Sequence, residues 1–229
     1  MAIIMLLIVS YIAWYFGRTA GASQNGMKEK RVAIDPGHGG NDPGKVGVND
    51  ELEKDINLQI ALMLKDVLED SGIKVTMTRD SDVALYDSDG GSKKLSDMRK
   101  RMSIVEESKA DILVSIHQNS YTSESVKGAQ VFYYSGSEEG KNLSECIQAN
   151  IRKNIDENNS RPSKANDNYY ILLHSKCPAV IVECGFLSNY EEAAKLSDKD
   201  YQKKMAEAVA GGIKDYFSSS AAKSNKEKK

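Results

Sequence analysis

The chain has 229 residues, 40% hydrophobic and 28% charged, with a formal net charge of -2. That length suits one ordinary domain with tails, and the near-neutral balance gives no support to binding of nucleic acid or another polyanion. Three cysteines, Cys146, Cys177 and Cys184, cannot all pair and match no zinc-ribbon or redox spacing; they read as buried free thiols.

In chain order, the first sixteen residues, MAIIMLLIVSYIAWYF, carry no charged side chain and are interrupted only by Ser10. The run is shorter than the roughly 20 apolar residues of a bilayer span and fits the apolar core of a signal peptide. Ala20-Gly21-Ala22 has the small residues of a cleavage site, yet no basic region precedes the run and Arg18 sits just before the cut. Residues 1–22 are expected to direct export, either cleaved or kept as a membrane anchor, with 23–30 as a polar linker. A buried N-terminal helix is the lesser alternative, because the stretch is apolar all round.

Beyond the linker, β-rich runs alternate with helical patterns. Strands are predicted at 31–35 (RVAID), 73–79 (IKVTMTR), 111–117 (DILVSIH), 129–134 (AQVFYY) and 179–184 (AVIVEC). Helices are predicted over 51–70, 95–109, 138–157 and 200–217. The runs at 111 and 179 are almost continuously apolar, as strands covered on both faces are. In the first helix Leu52, Ile56, Ile60, Leu64 and Val67 form one stripe. The alternation predicts a single α/β domain over 31–217, with three αβα layers around a largely parallel twisted sheet. SSSAAKSNKEKK (218–229) has no apolar periodicity and is expected to be disordered.

In such sheets ligands sit beyond the carboxyl ends of the strands. There, IDPGHGGNDPG (34–44) sets His38 among four glycines and two prolines, His117 closes the third run, and Glu183 ends AVIV. Glu53 opens the helix after the glycine loop. Two histidines and a carboxylate are a standard catalytic zinc set with a fourth position for water, and a further Glu can move that water's proton. Each residue also has a plainer reading. His38 can be a polar loop residue and His117 a satisfied end-of-strand histidine. Asp50-Glu51-Leu52-Glu53 spells a capping box. Glu183, after PAVIV, carries a desolvation cost unless it has donors, a cation or a raised pKa. His174, in YYILLHSKC, is placed outside the ligand set. Phosphate cradling by the glycine loop is the weaker account, since no Gly-Lys-Ser/Thr follows it.

Five segments in order carry a resemblance: AIDPGHGGNDPG (33–44), ELEKDINLQIA (51–61), TRDSD (78–82), ADILVSIHQNS (110–120) and PAVIVECGFLSN (178–189). Together they resemble the zinc-dependent N-acetylmuramoyl-L-alanine amidases of the type-3 amidase domain family, over most of 31–217. The resemblance implies zinc held by His38, Glu53 and His117, and catalysis by Glu183. The implied reaction is hydrolysis of the amide joining N-acetylmuramic acid to L-alanine in peptidoglycan. For Glu53 it implies ligation over capping. In FLSN, Ser188 and Glu191 read as the cap of the next helix. Where many relatives have Ala-Asn, this chain has Val105-Glu106, expected to alter only a surface contact. The segment after TRDSD is short, with no room for a long autoinhibitory insertion. A lone domain behind a hydrophobic N-terminus resembles the sporulation branch, which acts in spore cortex towards muramic-δ-lactam. That branch implies a place in the spore envelope, and a lone domain with no targeting module is expected to be positioned or activated by an accessory protein. The alternatives are a vegetative wall amidase, a non-catalytic peptidoglycan-binding protein that keeps the fold, and a zinc peptidase acting on stem peptides.

Overall fold

The computed structural model describes residues 29–86 and 92–227. The apolar segment 1–22 and most of the 23–30 linker lie outside the described residues. Strands and helices alternate: β1 (Arg31–Pro36), α1 (Glu53–Glu69), β2 (Lys74–Met77), α2 (Lys93–Ser108), β3 (Ile112–Asn119), β4 (Gln130–Tyr133), α3 (Glu138–Asn154), β5 (Lys164–Ala165), α4 (Tyr170–His174), β6 (Ala179–Phe186), α5 (Tyr190–Ser197) and α6 (Lys199–Glu227). The pattern does not announce β5, α4 and α5, which are too short to show a period.

The six strands form one sheet in the order β2-β1-β3-β6-β4-β5. β2, β1, β3 and β6 are mutually parallel. β4 runs antiparallel to β6, and β5 is parallel to β4. Side-chain alternation divides the apolar residues between two faces. Val32, Ile34, Val114, Ile116, Val180 and Val182 pack under α1, α3 and α6. Ala33, Leu113, Ala179 and Ile181 face the opposite way, towards α2 and α4. Helices thus cover both faces, as the apolar runs at 112 and 179 require. On α1 the buried stripe is Ile56, Ile60, Leu64 and Leu68; Leu68 rather than Val67 completes it.

Several local expectations are corrected. Val105 is buried in the core beneath α2, so the Val105-Glu106 departure is not confined to the surface. The cap of α5 lies one residue beyond the expected one. Asn189 accepts from the Glu192 amide at 2.9 Å, while the Ser188 hydroxyl accepts from the Tyr121 amide at 3.0 Å. No disulfide joins the cysteines, but only Cys184 is buried. The last helix runs on to Glu227 where disorder was expected from residue 218. Ser218 and Ser219 donate to the helix's own Lys214 and Tyr216 carbonyls. The Ala, Lys and Glu residues that follow favour helix without needing an apolar stripe. Among the described residues no helix is long and apolar enough to cross a membrane.

Candidate metal and catalytic site

β1, β3 and β6 are neighbours in the sheet, so their C-terminal ends converge on one spot. β1 hands over to the glycine loop at Gly37, whose amide donates to the Ile116 carbonyl of β3 at 3.0 Å. The next residue, His38, has φ 62. A non-glycine held in this left-handed region costs roughly 1–3 kcal/mol and persists only where its surroundings impose it. The turn aims the imidazole back over the sheet. Its Nδ1 lies 2.8 Å from Asp42 Oδ2, leaving Nε2 to face Glu53 Oε2 at 3.2 Å.

Glu53 sits at the first turn of α1 and is buried. The capping box is not formed: the cap residue is Leu52, with no side-chain hydrogen bond. The Glu53 carboxylate turns inward instead. Oε1 lies 2.9 Å from His117 Nδ1 and accepts from the Gln118 amide at 3.1 Å. Oε2 accepts from the Lys45 amide at 2.8 Å. Two glycines make the space. A Cβ on Gly37 would stand 2.1 Å from His117 Cε1, and one on Gly44 (φ +69) would stand 2.6 Å from Glu53 Oε2.

One ligand atom each from His38, Glu53 and His117 lies within 4.8 Å of the other two. The two imidazole rings meet edge to face at 5.0 Å. Burial opposes charge on His38 and Glu53, yet the pairing dominates. Glu53 is held well below the usual carboxylate range by the two histidines. His38 rises to about 9 because Glu53 and Asp42 outweigh its desolvation. Two imidazoles and a carboxylate drawn this close are a donor set of the kind that holds zinc. The donor set present therefore fits zinc.

Glu183 is the cross-strand partner of His117 in the β3–β6 register. It is 6% exposed, and its Oε2 has no hydrogen-bond partner among the described residues. Burial pushes its carboxyl up to about 7; the Glu53 charge adds to the rise, and His117 and His38 oppose it. Tyr169 lies close enough to Glu183 that burial and the Glu183 charge raise its own ionisation to about 12. Sequence reasoning does not find Tyr169, because an aromatic in a loop before a five-residue helix carries no periodic or motif signal. His174 stays outside the cluster. It is exposed, stacked on Tyr170 at 3.9 Å, with Nδ1 2.9 Å from the Tyr170 carbonyl.

A family model described as N-acetylmuramoyl-L-alanine amidase matches residues 32–215. The chain belongs to that amidase family. It is an enzyme, a hydrolase of the N-acetylmuramoyl-L-alanine amidase class. The amidase is 38% identical over 194 residues to the germination-specific N-acetylmuramoyl-L-alanine amidase of Bacillus subtilis (strain 168), covering 83% of this chain and 81% of that one. Its fold matches the CwlD amidase from Clostridioides difficile, solved in complex with the GerS lipoprotein, with a TM-score of 0.80 and 39% identity. That match covers 83% of this chain and 99% of the other. The amidase AmiC2 of Nostoc punctiforme matches with a TM-score of 0.74 and 34% identity, over 84% and 99% of the two chains.

Proposed function

We propose that this amidase hydrolyses the bond between the lactyl carbonyl of N-acetylmuramic acid and the nitrogen of L-alanine in peptidoglycan. His38, Glu53 and His117 hold zinc, and Glu183 carries the proton. The observation that supports this most is the placement of Glu183. A buried carboxyl with one unpartnered oxygen stands beside a His-Glu-His cluster at the end of the same sheet.

Zinc, when bound, supplies a Lewis acid that polarises the amide carbonyl and acidifies water. Asp42 fixes the His38 ring so that Nε2 faces the cluster. Glu183 takes a proton from the attacking water and returns it to the alanine nitrogen as the C–N bond breaks. Burial serves both halves of that transfer, since a carboxyl ionising near neutrality can accept and release a proton with equal ease.

The substrate is spore cortex on the way to muramic-δ-lactam, with the enzyme exported and set in the spore envelope. Similarity to a germination-specific amidase supports the cortex reading. The GerS lipoprotein bound to the CwlD relative supports an accessory protein here too. The apolar segment 1–22, as cleaved signal or as anchor, supports export.

The test is the appearance of new L-alanine amino termini from zinc-loaded protein acting on cortex and on vegetative peptidoglycan. Wild type is expected to release them from cortex. Glu183→Gln is expected to keep its zinc and to lose about 10²–10⁴-fold in turnover. Amines freed farther along the stem peptide would make the enzyme a peptidase. Equal action on vegetative wall would remove the cortex assignment. Zinc-loaded wild type that frees no amine from either wall would leave a binding protein with an amidase fold.

A further inference from the structure

The loop that carries His38 has its backbone groups held by side chains from three other parts of the fold. Two arginines do most of this. Arg101 of α2 donates from Nη1 to the Pro36 carbonyl at 2.8 Å and from Nη2 to the His38 carbonyl at 2.6 Å. Arg79, after β2, donates from Nε to Pro36 O at 3.0 Å and from Nη2 to Gly37 O at 3.0 Å. Both are buried, at 2% and 3% exposure. Arg101 is anchored in turn by Asp35 at 2.8 Å and Asp97 at 2.6 Å.

The outer part of the loop is clamped as well. Asp82 Oδ1 accepts from the Gly40 amide at 2.7 Å, and Lys54 Nζ donates to the Gly40 carbonyl at 2.9 Å and to Asp82 at 2.6 Å. Neither arginine is placed where chemistry occurs. Two buried guanidiniums side by side are costly, and burial together with the Arg101 charge depresses the ionisation of Arg79. Five planar donors on each suit a cluster of carbonyls in a way a lysine ammonium does not.

We propose that Arg79 and Arg101 are positioning residues for the metal site: by gripping the Pro36, Gly37 and His38 carbonyls they hold His38 in its left-handed turn, so that the cluster is formed before an ion arrives. This rests on the zinc reading above. The sheet end supplies His117 and α1 supplies Glu53 on regular elements, but His38 hangs from an irregular loop. Its φ of 62 is unfavourable for an imidazole-bearing residue and has to be imposed. The two guanidiniums impose it through the carbonyls on either side of that torsion.

The test uses Arg79→Lys, Arg79→Gln, Arg101→Lys and the milder Asp97→Asn, each purified as the full chain and stripped of metal. Zinc affinity is read by competition with a chromophoric chelator, and Co2+ binding by its visible absorption. Amide exchange across 36–44 is followed in the metal-free protein. The expected result is zinc binding weakened about 10–100-fold, the size of effect seen when groups behind a metal ligand are removed. The cobalt spectrum changes, and exchange quickens in 36–44 while β3 and β6 keep wild-type protection. Asp97→Asn gives a smaller shift in the same direction, and it decides the matter together with Arg79→Lys if the Arg101 variant does not fold. Folded variants with wild-type zinc affinity, cobalt spectrum and loop exchange would overturn the proposal. A wild type that binds no zinc would instead sink the zinc reading, and loop exchange in the metal-free variants would still decide whether the arginines hold the loop.

Discussion

At the scale of single residues, the site depends on small spaces as much as on ligands. Gly37 is the sharpest case, because an added Cβ would lie within 2.3 Å of two ring atoms of His117. The loop does not give way easily, since the Gly37 carbonyl is held by Arg79 and by Asn57 Nδ2, the latter at 3.1 Å. Gly37→Ala is therefore expected to swing His117 away from Glu53. Zinc affinity, measured by chelator competition, should fall at least 10-fold, the scale on which metal-site support acts. Unchanged affinity would show that the loop moves in place of the ring. The same scale explains why Glu53 is ambiguous on paper. A Glu three residues after an Asp satisfies capping grammar, and only the tertiary structure puts its carboxylate between two imidazoles instead of at the helix cap.

At the scale of elements, the helices on the α1 face set how firmly the sheet ends are held. α6 crosses α3 where Gly212 meets Ile147, and a Cβ on Gly212 would stand 2.4 Å from Ile147 Cα. The obstacle is backbone, so it cannot be relieved by a rotamer change. Gly212→Ala is expected to destabilise the fold by about 1–3 kcal/mol, read as a lower denaturant midpoint with zinc affinity unchanged. A midpoint equal to wild type would mean that the two helices slide apart without loss. A second joint lies after β6. Glu192 of α5 accepts from the Phe186 and Gly128 amides at 2.8 and 2.9 Å, tying the strand carrying Glu183 to the loop before β4.

At the scale of the whole molecule, Asp35 joins β1, α2, β3 and the residue after β2 in one buried knot. Its Oδ1 accepts from Thr78 at 2.6 Å and Arg101 at 2.8 Å, and Oδ2 from Ser115 at 2.7 Å. Burial alone would raise its pKa, but the Arg101 charge and these hydrogen bonds bring it down to about 2. A depressed folded-state value means that the stabilisation is complete above the unfolded value near 3.8 and is lost as pH falls towards 2. The size is about 2 kcal/mol. Asp35→Asn should be less stable at neutral pH and should show a shallower decline between about pH 4 and pH 2, measured by denaturant unfolding at stepped pH. Parallel declines for the two proteins would remove Asp35 as the source.

Much of this molecule was determined by its sequence alone. Apolar periodicity places the four parallel strands and the four long helical segments, because a helix or strand that must bury a face carries that face in its residue order. Five motifs in one order resemble a single family and single out His38, Glu53, His117 and Glu183. What remained hidden depends on contacts distant along the chain. The antiparallel run of β4 beside β6, the burial of Val105 and the approach of Tyr169 to Glu183 have no local signature. Arg79 and Arg101 carry no local signal of their burial. Only the tertiary structure buries them against the carbonyls of a loop more than 40 residues away, where the hydrogen-bond separations are 42 and 63 residues. Local grammar sets elements through propensity and pattern, whereas a buried charge is placed by whichever acceptors the completed fold brings to it.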